Sequence, residues 1–355
     1  PVPDTDVQYE TDDPVISIGV LAEKVGLSVS AVRKYENEGL LIAHRTPSGH
    51  RLFSHEDVRR VEHIQYLIQD LGLNIEGVHP LIEGAAELEI DFLAVSFVRS
   101  GDEIEEARRL FEAAGGSGQI VAKIERTEAV DNIDSIIAAA DVIMVARGDL
   151  GVEMGYAGLT GIQKKLIRKT RKAHKIVITA TQMMESMIEN PIPTRAEVSD
   201  VANAVIDGTD AVMLSGETAV GKHPNKAIEA MAEVCVGAEK YQAPHASTQR
   251  VRDNFDRVDE AIAMATMYTA NHLGVTAIAA LTESGSTCKW MSRISSGIPI
   301  YALTGQVATR RKVTLYRGVY PVSFDLEPGI DSRQANTEVI EELQRRGAVR
   351  DDDLV

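Results

Sequence analysis

Three short stretches carry side chains that together could handle a phosphoryl group. In IVAKIERTEA, Lys123 and Glu125 alternate at the end of an apolar run. Period-two spacing on a strand puts both on one face of a sheet, an ammonium beside a carboxylate. In MVARGDLGVEM, Arg147, Gly148 and Asp149 follow a second apolar run and start a turn. Glycine there lets backbone N–H groups approach an anion, and Asp149 offers oxygen to a hard cation. In VITATQMMESM, Thr179 and Thr181 stand at a third strand end, before a helical segment. Taken singly, the three are explained as an ion pair, turn chemistry and a helix cap. At successive strand ends they are the components of magnesium-assisted phosphoryl transfer. A fourth stretch, ALTESGST, leads Thr282, Ser284, Gly285, Ser286 and Thr287 into a helix. Hydroxyls and N–H groups at a helix start can take an anion. A plain capped helix is the alternative, and Glu283 adds a negative charge beside it.

The elements that must position these residues follow one rhythm. After about residue 85, short Val- and Ile-rich runs at 92–98, 119–124, 141–146, 175–180 and 210–214 alternate with helical segments at 103–114, 129–139, 161–174 and 197–207. Such alternation predicts an α/β fold whose parallel sheet is built from βα units, with the chemistry at the strand ends. A polar connection at 236–258, with His245 and Ser247, leads to a second unit. It has a helix at 259–272 and strands at 276–281, 298–304 and 318–322.

Composition narrows the function classes. The 355 residues are 44% hydrophobic and 25% charged, which excludes wholesale disorder, and no apolar run is long enough to cross a membrane. The two cysteines, Cys235 and Cys288, cannot build a disulfide framework or a Cys-rich zinc site, which fits a reducing cytoplasm. A net charge of −16 argues against a body coated for nucleic acid, yet leaves room for one small basic face.

That face belongs to residues 14–84, which follow an acidic arm at 1–13 that we expect to be flexible. Ser17 caps a first helix and Ser28 a second. A Pro47-Ser48-Gly49 turn makes a hairpin, and Ser54-His55-Glu56-Asp57, which resembles a capping box, opens a longer helix with Val58, Val61 and Leu71 on one stripe. This is the order of a winged helix-turn-helix. Its second helix carries Arg33, Lys34 and Tyr35, and its wing Arg45 and Arg51. Clustered cations of this kind neutralise phosphates while the helix enters the major groove of duplex DNA. A solvated charged face on a helical adaptor is the competing explanation.

Two resemblances extend these readings. VRKYENEGLL, RTPSGHRLFS and EDVRRVEHI resemble the DNA-binding domain of the MerR family, its HspR-like heat-shock repressors above all. The likeness covers about 70 residues and implies that Arg33, Tyr35, Arg45 and Arg51 contact bases or backbone; Lys34 joins them through the charge cluster alone. MerR regulators dimerise through a long helix after this module; here Gly77, Pro80 and Gly84 interrupt its place. From about residue 85 onward, DFLAVSFVRS, KIERTEA, IMVARGDLGVEM, ATQMMESM, PTRAEVSDVANAV and AVMLSGETAVGKHP resemble pyruvate kinase, in family order. That resemblance implies an α/β chain: a partial (β/α) barrel at 85–235 and an α/β C-terminal domain at 236–355, preceded by the winged module.

The second resemblance also implies glycolytic phosphoryl transfer between phosphoenolpyruvate and ADP, giving pyruvate and ATP, with Mg²⁺ or Mn²⁺ and K⁺, in a cytoplasmic homo-oligomer. In that family Lys123 stabilises the transferring phosphoryl group. Glu125 and Asp149 bind the divalent metal, the backbone around Ala146, Arg147 and Gly148 receives the substrate carboxylate, and Asp149 and Thr181 also meet the substrate. Thr181 assists proton delivery to the enolate, and Ser215 and Glu217 line the last strand's end. The Thr282–Thr287 loop takes the phosphate of an activator in many members. The family's first three strands, inserted lid domain, phosphoryl-gripping arginine, potassium ligands and last C-terminal strand have no counterpart in these residues. The alternatives are a DNA-binding regulator with a kinase-derived sensor or dimerisation body, and a chimera without function.

Overall fold

The computed structural model describes residues 15–37, 41, 43–46, 50–55, 57–58, 61, 82–241, 255, 257–294, 296–326 and 329–355. The acidic arm, the wing turn at 47–49, the third helix beyond Val61 and the connection around His245 and Ser247 lie outside the described residues. By backbone contacts the chain falls into two units, Pro1–Ile90 with Arg109–Ser117, and Asp91–Arg108 with Gly118–Val355.

The first unit holds the winged arrangement. Helix α1 (Ile18–Lys24) starts at Ser17, whose hydroxyl accepts from the Val20 N–H. Helix α2 (Val29–Asn37) starts at Ser28, whose hydroxyl accepts from Ala31 N at 3.2 Å. Strands β1 (Ile16–Ser17), β2 (His44–Arg45) and β3 (Arg51–Phe53) form a small antiparallel sheet in the order β1-β3-β2. Leu21, Val32, Tyr35, Leu41, Phe53 and Val61 make its core. The capping box expected at Ser54 is present: Asp57 Oδ2 accepts from Ser54 N at 2.8 Å, and Ser54 Oγ accepts from Asp57 N at 3.1 Å. Residues 82–87 are helical.

The second unit carries both parallel sheets. Strands β4 (Phe92–Val95), β5 (Gln119–Ile124), β6 (Val142–Ala146), β7 (Ile176–Ala180) and β8 (Ala211–Met213) pair strictly in sequence order. Register puts Lys123 beside Met144, Met144 beside Ile178, and Ile178 beside Ala211, so all four share one face. β6 and β7 are buried along their whole length, as strands covered on both sides should be. Strands β9 (Ile278–Leu281), β10 (Ile300–Thr304) and β11 (Val319–Ser323) form the second sheet, again in sequence order.

Two local departures from expectation matter for the site. The first strand stops at Val95 rather than 98, because Phe97 takes a left-handed backbone, φ 54°, and turns the chain. Residues 147–154 form a helix, not a turn, so Gly148 and Asp149 sit in a helical first turn. Among the described residues no helix is long and apolar enough to cross a membrane.

Candidate active site

Lys123 leaves β5 near its C-terminal end and meets Glu125 at 2.7 Å. Glu125 is 1% exposed, so its charge needs partners. Its second oxygen accepts the Phe97 N–H at 2.6 Å, and Lys123 Nζ donates onward to Ser96 Oγ at 2.8 Å. The turn after β4 therefore closes over the pair. Ser96 and Phe97 stood in the matched stretch DFLAVSFVRS without an assigned role. The signal that could have found them was register: Val95 pairs with Ala122, which brings the next residue opposite Lys123.

Ala146 ends β6 and Thr181 directly follows β7, its neighbour. The Gly148 N–H donates to Thr181 Oγ1 at 2.7 Å, and that hydroxyl donates to Ala180 O at 2.6 Å. Two groups expected to meet substrate thus meet each other. The Arg147 side chain turns inward, 6% exposed. Its guanidinium donates to the carbonyls of Thr181 and Gln182, at 2.7 and 2.9 Å, and pairs with Asp200. Composition in a Gly-rich stretch gave no hint of this bolt. Asp149 is exposed on the same helical turn. Thr179 is buried and bonds Thr209 Oγ1 at 3.0 Å, a core contact away from the site.

Glu217, 2% exposed, stitches the next two loops by accepting from Met184 N at 2.9 Å and Ser215 N at 2.7 Å. Ser215 Oγ is buried without a hydrogen-bond partner. Glu125, Asp149, Thr181 and Glu217 all follow C-terminal strand ends of one parallel sheet, where βα folds gather function.

The C-terminal loop is internally satisfied. Gly285 N donates to Thr282 Oγ1 at 2.9 Å, and Ser284 and Ser286 share a hydrogen bond at 2.8 Å. Gly285 sits at φ 81°, and a Cβ there would stand 2.8 Å from Val313, so glycine is required. Thr287 is half-buried in the first turn of the helix Ser286–Ser292.

In the first unit Arg33 and Lys34 are exposed on α2, with Ser28 and Ser30 nearby. Tyr35, expected at DNA, is 5% exposed in the core, and burial pushes its hydroxyl pKa up. Spacing explains this: Val32 and Tyr35 are three apart, on the helix face turned inward. Arg45 and Arg51 both reach Glu36, at 3.4 and 2.5 Å.

Comparison with known proteins agrees with this arrangement. Residues 72–228 match the pyruvate kinase barrel domain, 260–355 the pyruvate kinase alpha/beta domain, and 16–85 the MerR HTH family regulatory protein. Pyruvate kinase II of Salmonella typhimurium is 55% identical over 278 residues, covering 77% of this chain and 58% of its own length. A pyruvate kinase of Buchnera aphidicola subsp. Schizaphis graminum is 54% identical, with 76% and 57% covered. The crystal structure of a pyruvate kinase from Cryptosporidium parvum superposes with a TM-score of 0.72 at 36% identity, over 78% of this chain and 57% of that one. The chain thus spans a little over half the length of these relatives. With a MerR-type helix-turn-helix at its N-terminus, it belongs to the pyruvate kinase family.

Proposed function

We propose that the ends of β5, β6 and β7 carry the metal- and enolate-binding half of a pyruvate kinase site, serving phosphoryl transfer between phosphoenolpyruvate and ADP. The observation that carries this reading is the convergence of Lys123–Glu125 and the Gly148–Thr181 hydrogen bond at one end of one sheet. Lys123, steadied by Glu125 and Ser96, offers a preorganised positive charge to phosphoryl oxygens. The N–H groups that open the Arg147–Met154 helix suit a substrate carboxylate, favoured further by the helix dipole. A carboxylate there competes with Thr181 for the Gly148 N–H. To protonate an enolate carbon the Thr181 hydroxyl would turn from Ala180 O, to which it donates, and recover a proton from water.

Glu125 and Asp149 would hold the divalent metal. The described residues contain no cluster of three or more metal-ligating side chains. Two carboxylates suit Mg²⁺, which keeps water and substrate oxygens for its remaining positions. Bound there, Mg²⁺ or Mn²⁺ would spread the charge of the phosphoryl oxygens. Mn²⁺ titration of the chain, with and without phosphoenolpyruvate, tests the reading. We expect each ligand to tighten the other, and Glu125→Gln or Asp149→Asn to weaken Mn²⁺ at least about tenfold, the loss of one charged ligand. Independent binding, or Mn²⁺ affinity indifferent to both changes, would overturn it.

A second reading concerns the first unit, which we infer binds duplex DNA. Support comes from the MerR-type match and from Arg33, Lys34 and Arg45 exposed on α2 and the wing. Replacing Arg33 and Lys34 together should reduce the slope of log K against log salt by roughly two, if each meets one phosphate. An unchanged slope would favour an adaptor surface.

A further inference from the structure

The three charged residues between recognition helix and wing are not equivalent. Glu36 lies in the last turn of α2, its side chain 15% exposed. Arg45 and Arg51 are register partners on β2 and β3, and both turn back to that one carboxylate. Arg51 Nε donates to Glu36 Oε2 at 2.5 Å and is 29% exposed, a short charge-assisted bond shielded from water. Arg45 reaches Glu36 Oε1 only at 3.4 Å and is 55% exposed. Exposed, long ion pairs contribute little and are readily exchanged. A phosphate approaching the wing therefore meets one arginine that is easily drawn away and one that is held.

We propose that Glu36 is a latch that divides the wing arginines: Arg45 leaves it for a DNA phosphate, whereas Arg51 stays clasped and sets the wing's angle to α2. The proposal rests on the DNA reading of the first unit. It departs from the expectation that both arginines contact DNA alike. Glu36 is then a positioning residue with a restraining role, keeping one cation out of the phosphate contact.

Anisotropy titrations of the full 355-residue chain against a short duplex, across salt concentrations, decide the matter. Arg45→Ala should lower the salt slope by about one, the loss of one phosphate contact. Arg51→Gln should leave the slope as it is. Glu36→Gln should raise the slope by about one, because Arg51 is released to a second phosphate. A reading on the unaltered chain guards against misfolded variants: in ¹⁵N spectra of arginine Nε–H groups, duplex should move the Arg45 resonance and leave that of Arg51 in place. Equal slope losses at the two arginines, a fall in slope for Glu36→Gln, or movement of both resonances would overturn the latch while sparing the DNA reading. Failure of the unaltered chain to bind duplex at low salt would remove both.

Discussion

Thr181 and Gln182 hold φ values of 64° and 51°, the left-handed region that a β-branched residue avoids. Such residues cost on the order of 1–3 kcal/mol each and persist only where neighbours force them. Here the force is Arg147, whose guanidinium binds both carbonyls from below. In this conformation the Thr181 hydroxyl accepts from the Gly148 N–H. Thr181→Gly would relieve the backbone while removing a hydroxyl that makes two hydrogen bonds. These effects oppose each other, so the unfolding free energy should change by less than about 1 kcal/mol. Urea unfolding checks this, and a loss above about 3 kcal/mol would show that the threonine is structural rather than held for function.

The elements after β7 are joined by one carboxylate. Glu197, in the first turn of the helix Arg195–Asp207, completes a capping box with Thr194. It also accepts from Ser186 N at 2.7 Å and Ser186 Oγ at 2.6 Å, which ties the Glu185–Ile188 turn to this helix. Burial alone would raise its pKa; hydrogen bonds from Ser186 and Thr194 outweigh burial and hold it below the ordinary 4.5. The sign follows directly. The stabilisation is full above the unfolded value of 4.5 and fades as pH falls through the lower folded value. Glu197→Ala should cost about 1–2 kcal/mol at pH 7. The gap to the parent should narrow below pH 4.5, as measured by thermal unfolding across pH.

At the scale of the second unit, a buried pair locks the two sheets' surroundings together. Arg293, after the Ser286–Ser292 helix, pairs with Asp210 before β8; their side chains are 0% and 1% exposed. Asp210 also accepts from Val177 N at 2.9 Å, and Arg293 donates to Lys175 O at 2.8 Å. Asp210→Asn leaves a buried guanidinium without its counter-charge and should cost about 3–5 kcal/mol in urea unfolding. Replacing both partners by apolar residues should cost less. The same unit sets an expectation for turnover. Among the described residues β4 and β8 each have one neighbour, so the five strands form an open sheet, not a closed barrel. On the proposed reading Lys123, Glu125, Asp149 and Thr181 would act from one side of a phosphoryl group. Each preorganised charge contact missing from the other side costs about 10²–10³ in rate, and lost positioning adds to that. Assayed as the 355-residue chain, pyruvate formation should stand near background. Turnover of about 10 s⁻¹ or more that Lys123→Ala abolishes would mean that another element or subunit completes the site.

Much of this molecule is legible in its amino-acid sequence. Val- and Ile-rich runs alternating with amphipathic segments determine βα units, because strand and helix periodicities are local properties of the chain. The order of the motifs placed Lys123, Glu125, Asp149 and Thr181 at consecutive strand ends, and parallel pairing then puts them at one end of one sheet. Serine caps at Ser17, Ser28 and Ser54 were equally local. Partner choice was not. The Gly148 N–H, in the first turn of its helix, finds its acceptor in the Thr181 hydroxyl 33 residues away. Arg147 is a bolt only because Asp200 and the Thr181 carbonyl surround it. Arg45 and Arg51 differ in their distance to Glu36 and in their exposure. The physical reason is the same in each case. Periodicity records which face of an element is apolar, whereas a charged or polar group's role is set by which counter-group the fold delivers to it.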